Sequence, residues 1–513
     1  MPTSESLRST QDLAEWVSSV QFDDIPERVL KLLKAQVLNI FAAAIAGRTT
    51  VAANILSETL LAEMDLMTPA NGGNAMIWAD GRSVPGEIAF IINAGHVCAL
   101  DYDDYLLAGH TGVSAVPLAV WLTEADTDPA KRTGRSWLLA QVVANEVEGR
   151  IGAIAAVGPL NGQMWSFIHP AGGACAAARH MGLTAEETAN ALGTALYQPP
   201  FALVRGFMGP HSKILTAIHA RDGVLAARLA AHGFTGPRDI LEHPQGFARA
   251  FADYPLLSFV SGLGNAWVTD TLTFKNYPGC AYVDPVADCV LQILEEHGAE
   301  PEFQAPLQGI REVRVRASML SWIMDELARP AIDPASLQAN ASHVALNFFI
   351  PFNVAVMLLD QQLTPAQLQP DRYLQDDVRL LMQRVRTVND PIISLNFLRS
   401  VIGTPGKGPL GKFPGVSDIS TKLDLGDFRL ENLRLFFSAG VDVELKSGRV
   451  ISATCNIPRG AAGHSDSREE VAREKFRRET MVLLGEKVPR IIELVETLED
   501  LDDVGTLTEL FLQ

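Results

Sequence analysis

Two apolar runs, 88–92 and 115–122, stand close enough in the chain to wall a single site, and the segment between them is charged. It carries Asp101, Asp103 and Asp104, three carboxylates in four positions, together with His96 and His110. A charge drawn into apolar surroundings is costly unless it is paired or used. The fold must therefore either supply partners for these acids or leave them in a solvated turn at a helix end. This segment alone leaves both readings open.

At 513 residues the chain is long for one core, so two domains are expected. The first half has helical periodicity. Over 26–46, Val29, Leu30, Leu33, Val37, Ile40, Phe41 and Ile45 recur at helical spacing, and Gly47 supplies a stop. Segments 136–156 and 223–232 repeat the pattern, and Thr184 with Glu187 forms a capping box that opens another helix. Dense alanine and glycine over 171–178 predicts closely crossing helices rather than a linker.

After about Lys275 the grammar changes. Segment 310–317 alternates apolar and charged residues, as a half-buried strand does, and 441–445 and 450–454 flank a glycine-containing hairpin turn. Helical stretches (355–359, 378–384) are interleaved, and 468–484 and 487–498 return to helix. The expected fold is mainly α with an α+β second domain. A helical domain covers 1–274, an α+β lid 275–458, and C-terminal helices over 459–513 rejoin the helical domain, leaving a cleft. The helical face holding Phe41 and Ile45 is a candidate contact for a second subunit.

The formal charge of -18 argues against nucleic acid and anionic membrane as partners. No uninterrupted apolar stretch reads as long enough to span a bilayer, and the polar N-terminus has no secretory pattern. The five cysteines, Cys98, Cys175, Cys280, Cys289 and Cys455, are scattered with no paired spacing, which suits reduced thiols rather than disulfides or zinc. A cytoplasmic protein is expected. Phosphate-loop, nucleophile-elbow and metalloprotease motifs are absent from the sequence, so neither cofactor nor metal is implied.

Candidate chemistry lies in clusters. A carboxylate bonded to His110 would fix its tautomer for acid–base work. His169 stands just before Pro170 at the start of a small-residue helix, where an anion could rest. Arg205, His211 and Lys213 form a local basic loop in an acidic protein, and Lys275 falls at the expected domain junction. Histidine, lysine and aspartate acting on an anionic substrate point to proton transfer: elimination, decarboxylation, epimerisation or isomerisation.

These residues resemble the MmgE/PrpD family along nearly the whole chain. Gly95-His96 through Asp101-Tyr102-Asp103-Asp104 is similar to its Ala-His…Asp-Phe-Asp-Asp segment, and His110 stands for the histidine that follows. Segments 183–187 and 232–237, Lys275-Asn276-Tyr277-Pro278-Gly279-Cys280, and Ser447-Gly448-Arg449 with Ile457-Pro458-Arg459-Gly460 and Lys475-Phe476 match further signatures in order and spacing. The resemblance implies a helical domain with an α+β lid, no required metal, a small anionic carboxylate as substrate, and usually a homodimer. It also implies that Asp101 orients or tunes the site, and that His110 and His169 handle protons or substrate carboxylates. Lys213 and Lys275 would bind carboxylates and stabilise an enediolate. His96, Arg205, His211, Ser212, Cys280 and Asp284 fall on the substrate side.

The chain departs from the family pattern at several of these positions. Ser212, one residue before Lys213, occupies the usual lysine position when counted from Gly223. Asp284 and Cys280 stand where histidines are found, and Phe352 stands for a tyrosine of the decarboxylase type. Fewer proton donors and less positive charge put a cofactor-independent lyase of the 2-methylcitrate dehydratase type first. An epimerase or isomerase, a decarboxylase, or a non-catalytic member of the same fold are the alternatives.

Overall fold

The computed structural model describes residues 8–64, 73–107, 109–158, 165–332, 342–402, 425–427 and 429–512. Part of the polar N-terminal stretch, residues 1–7, lies outside these.

Helix α1 (Glu27–Gly47) is the axis of the helical body. It starts after Pro26, whose missing N–H is no loss at a helix start. Around it pack α2 (Gly86–Cys98), α3 (Gly112–Glu124), α4 (Gly134–Ile154) and, from the far end of the chain, α9 (Arg468–Leu484). By length and composition α1 could cross a membrane, contrary to the sequence expectation, but most of it is buried inside the protein. Its Phe41 meets the rings of Trp78 and Phe511 edge-on at 4.6 and 4.9 Å. Phe41 and Ile45 are thus buried in the chain's own core and do not form a face awaiting a second subunit.

Helix α5 (Ile168–Met181) crosses α6 (Ala220–Ala231) so closely that a Cβ at Gly173 would collide with the Ala220 carbonyl. The alanine–glycine density of 171–178 is therefore a crossing, as expected. The Thr184 capping box is also formed, with reciprocal bonds to Glu187.

Strand β1 (Asp104–Tyr105) pairs antiparallel with β2 (Thr273–Phe274). Beyond them, α7 (Val283–His297) covers a four-stranded sheet. Strand β3 (Ile310–Ala317) lies between β4 (Val385–Asn389), which is parallel to it, and β5 (Ala439–Leu445), which is antiparallel; β6 (Val450–Cys455) closes the order 4-3-5-6. The parallel pair requires a crossover, and the helices between β3 and β4, α8 (Ile350–Asp360) among them, supply it. The β5–β6 turn holds Gly448 at φ +89°, the conformation that favours glycine.

Candidate active site

Pairing of β1 with β2 lays the 101–105 loop against Lys275, the residue that follows β2. The Lys275 ammonium lies 2.8 Å from the Asp101 carbonyl oxygen, 2.9 Å from Asp101 Oδ2 and 3.0 Å from Asp103 Oδ1. Lys213, on the short turn Ser212–Leu215, pairs with the other Asp101 oxygen. From α9, the Lys475 ammonium donates to Asn39 Oδ1 at 2.7 Å, to the Lys275 carbonyl at 3.0 Å and to the Tyr102 carbonyl. It also sits 3.7 Å over the Tyr102 ring. The loop is thus tied to three buried lysines from distant parts of the chain. Asp101 itself holds φ +51°, a region that aspartate tolerates better than most residues.

This arrangement answers the charge problem posed by the sequence. Burial would raise the Asp103 carboxyl, but Lys275 and His110 outweigh it and hold the group well below the usual carboxylate range. Asp101 is likewise held low against burial, by Lys213 and Lys275. Asp104 differs: burial, then the neighbouring Asp103, pushes it up to about 7. Its Oδ1 accepts the Gly112 N–H at 3.0 Å and ties the loop to the start of α3. A Cβ at Gly112 would collide with this carboxylate and with Ile40, so a larger residue there would have to push the Asp104 side chain aside.

A cavity of about 370 Å³ opens onto this cluster. Asp101, Asp103, His110 and Lys213 line it, with Cys98, Cys280 and Tyr105 beside them. The Nδ1 of His110 lies 2.8 Å from Asp103 Oδ2, which leaves Nε2 for chemistry. Most of the remaining lining is apolar and includes Trp165, Phe348, Leu435 and Phe437.

The structure distributes the other expected site residues elsewhere. Lys275 is fully buried and stands behind the carboxylates rather than in the lining, because β2 seats it beneath the loop. His169 is buried with Ser114 Oγ 2.8 Å and Glu148 Oε2 3.3 Å from its Nδ1, and is not among the lining residues. His96 is bonded through Nε2 to Ser57 Oγ at 2.8 Å, and burial pushes it down to about 4. Arg205, His211 and Ser212 are exposed, so of the basic loop only Lys213 reaches the cavity. Asp284 is buried outside the lining, accepts the Tyr277 N–H at 3.3 Å, and is driven well above the usual range by burial and then Asp288. Phe352 is core, not wall. Cys280 does line the cavity, and burial pushes its thiol up to about 12.

Lys475 enters the sequence reading only as part of a family signature, although its position carries a signal for the site. It shares a helical face with the buried Val471, Ala472 and Phe476, where a lysine needs a buried partner. One oxygen or nitrogen each from Asp101, Asp103 and His110 lie within 4.8 Å of one another, a spacing that a cation could use. Two ammonium groups already occupy those carboxylates, so a dication would have to displace fixed positive charge.

Fold and site together define a mainly helical protein with a smaller α+β domain, whose cavity carries lysine, carboxylate and imidazole. The chain belongs to the MmgE/PrpD family: residues 11–259 match the MmgE/PrpD N-terminal domain and residues 277–405 the C-terminal domain. It is similar to cis-aconitate decarboxylase of Aspergillus terreus, 27% identical over 69% of this chain and 72% of the relative. It is also similar to cis-aconitate decarboxylase of Homo sapiens, 23% identical over 98% of this chain and 94% of the relative. The cis-aconitate decarboxylase of Mus musculus is 24% identical over 85% of this chain and 81% of the relative.

Proposed function

We propose that the chain is a cofactor-independent lyase acting on a carboxylic acid, with loss of CO2 as its leading reaction. The observation that carries this reading is the Asp103–His110 pair in the same wall as Lys213, facing a lining that is otherwise mostly apolar.

Lys213 anchors a carboxylate that the substrate retains. A second carboxylate set against apolar side chains loses solvation, which favours its release. The carbon–carbon bond to that group breaks and CO2 leaves. The electron pair is delocalised onto the retained carboxylate as an enediolate, which Lys213 stabilises. His110 Nε2–H then protonates carbon, and the neutral imidazole regains a proton from solvent. Asp103 holds Nδ1–H throughout and stabilises the imidazolium.

Loss of water, placed first by the sequence, needs proton transfers at both the carbon and the departing hydroxyl, and epimerisation needs a group on each face. Among the described lining residues His110 is the only histidine. The thiols of Cys98 and Cys280, pushed up to about 12 by burial, are poor partners for it. This favours the reaction that needs one proton donor, and it agrees with the activity named for the relatives.

Proton NMR in D2O tests the proposal, with cis-aconitate, 2-methylcitrate, citrate and hydroxy and amino diacids as substrates. Release of CO2 with deuterium at the reacting carbon is the expected outcome. A new alkene without CO2 would mean dehydration, and exchange without net change would mean epimerisation. Unchanged spectra across the panel would remove the lyase reading.

A further inference from the structure

The cavity's charged side chains form one cluster joined through Lys275, and the cluster has little charge to spare. Among the described residues Lys213 is the only lysine or arginine in the lining, and its ammonium is already paired with Asp101. Asp101 and Asp103 both face the cavity, while Lys275, which balances them, stands behind. Arg205 and His211, the further cations expected to meet an anionic substrate, are at the surface. A trianion entering here would meet two carboxylates and a single committed ammonium.

The rest of the lining is built for something else. Trp165, Leu320, Met324, Phe397, Leu435 and Phe437 contribute apolar side chains, and the rings of Phe397 and Phe437 stand 5.1 Å apart. Tyr282, also in the lining, spends its hydroxyl on the Phe348 carbonyl at 2.6 Å, so it too offers carbon. Trp165 holds φ +58°, which a bulky residue adopts only where its surroundings enforce it. The volume, about 370 Å³, falls in the range of small-molecule pockets, roughly 300–1,000 Å³.

We propose that the substrate is an amphipathic acid, with one or two carboxylates at the Lys213–His110 cluster and an alkyl or aryl arm of several carbons against the apolar lining. This rests on the reading of the cavity as a lyase active site, whose substrate class it narrows. Lys213 anchors the head, and the arm fixes which carbon faces His110 Nε2.

The test separates binding from turnover. Isothermal titration calorimetry of the full chain uses succinate, 2-butyl-, 2-hexyl- and 2-octylsuccinate, and tricarballylate, none of which can eliminate water. Affinity is expected to rise about fourfold per methylene until the wall is filled, with tricarballylate weaker than 2-butylsuccinate. Met324→Lys or Leu320→Lys, each at a half-buried position, should cut that gain to under about twofold per methylene. A chain-length-independent Kd, or tighter binding of tricarballylate, overturns the proposal. NMR turnover assays with unsaturated acids, alkylated and not, run in parallel. Chain-length-dependent binding without any turnover supports the amphipathic ligand and removes the lyase reading. Turnover of cis-aconitate with no gain from an alkyl arm does the reverse.

Discussion

His110 Nδ1 lies 2.8 Å from Asp103 Oδ2, and the same carboxylate offers its other oxygen to Lys275 at 3.0 Å. Asp103 therefore fixes the imidazole while the fold fixes Asp103. Asp103→Asn keeps the shape but can present an N–H to Nδ1 and reverse the tautomer. In a comparable carboxylate–histidine pair that exchange lowers kcat by about 10⁴. We expect a fall of about 10³ to 10⁴ in kcat with little change in KM. Steady-state kinetics on whichever acid turns over decides it, and a fall confined to KM would show that Asp103 only shapes the pocket.

Ser212 and Lys213 compete for the family lysine position in the sequence, and the two side chains part company in the fold. Lys213 is buried on the cavity wall, and Ser212 is exposed. Lys213→Met should lower kcat/KM by about 10² to 10³, the usual effect of losing one oxyanion-stabilising donor. Ser212→Ala should stay within about twofold, as surface changes generally do. Equal losses in the two variants would contradict the assignment of Lys213.

Lys275 is expected to matter to the fold before it matters to a substrate. Lys275→Met leaves Asp101 with Lys213 but deprives Asp103 of its buried cation. Breaking a buried pair from one side costs about 3–5 kcal/mol. Urea unfolding should show that loss, and adding Asp103→Asn to the variant should recover part of it, because the uncompensated charge goes too. A variant as stable as the parent would place Lys275 in a solvated position, contrary to its burial.

Local pattern carried much of the fold. The alternation of 310–317 became strand β3 with the same ends, and the 468–484 periodicity became α9. Both signals depend on near neighbours along the chain. The site was legible where spacing and family pattern placed a cluster, as for Asp101, Asp103 and His110. It was illegible where tertiary packing chose among equals. Nothing local distinguishes Lys213, which turns inward, from Arg205, which does not. Lys275 sits one layer behind the wall because β1 pairs with β2, and two-residue strands are too short to carry a pattern. The apolar lining comes from segments far apart in the chain, so no single window of sequence displays it.

Glu124, at the end of α3, gives a prediction about stability. Its Oε2 accepts the Met76 N–H at 3.1 Å and its Oε1 the Thr508 hydroxyl at 2.7 Å, so it joins the helical body to the C-terminal segment. Burial pushes its carboxyl up to about 7 from the ordinary 4.5, although both hydrogen bonds pull the other way. Between those two values the native state keeps a proton that the unfolded chain has lost, so stability falls as pH rises from about 4.5 to about 7 and is level above. The total loss is on the order of 3 kcal/mol. Glutamine does not titrate, and its amide can donate to the Thr508 oxygen while its carbonyl accepts from Met76. Glu124→Gln should therefore match the parent near pH 4.5, gain on it through pH 7, and hold a constant lead beyond. Melting temperatures of both proteins across that range provide the measurement. A difference that does not vary with pH would mean that Glu124 is already ionised in the folded protein at the acid end.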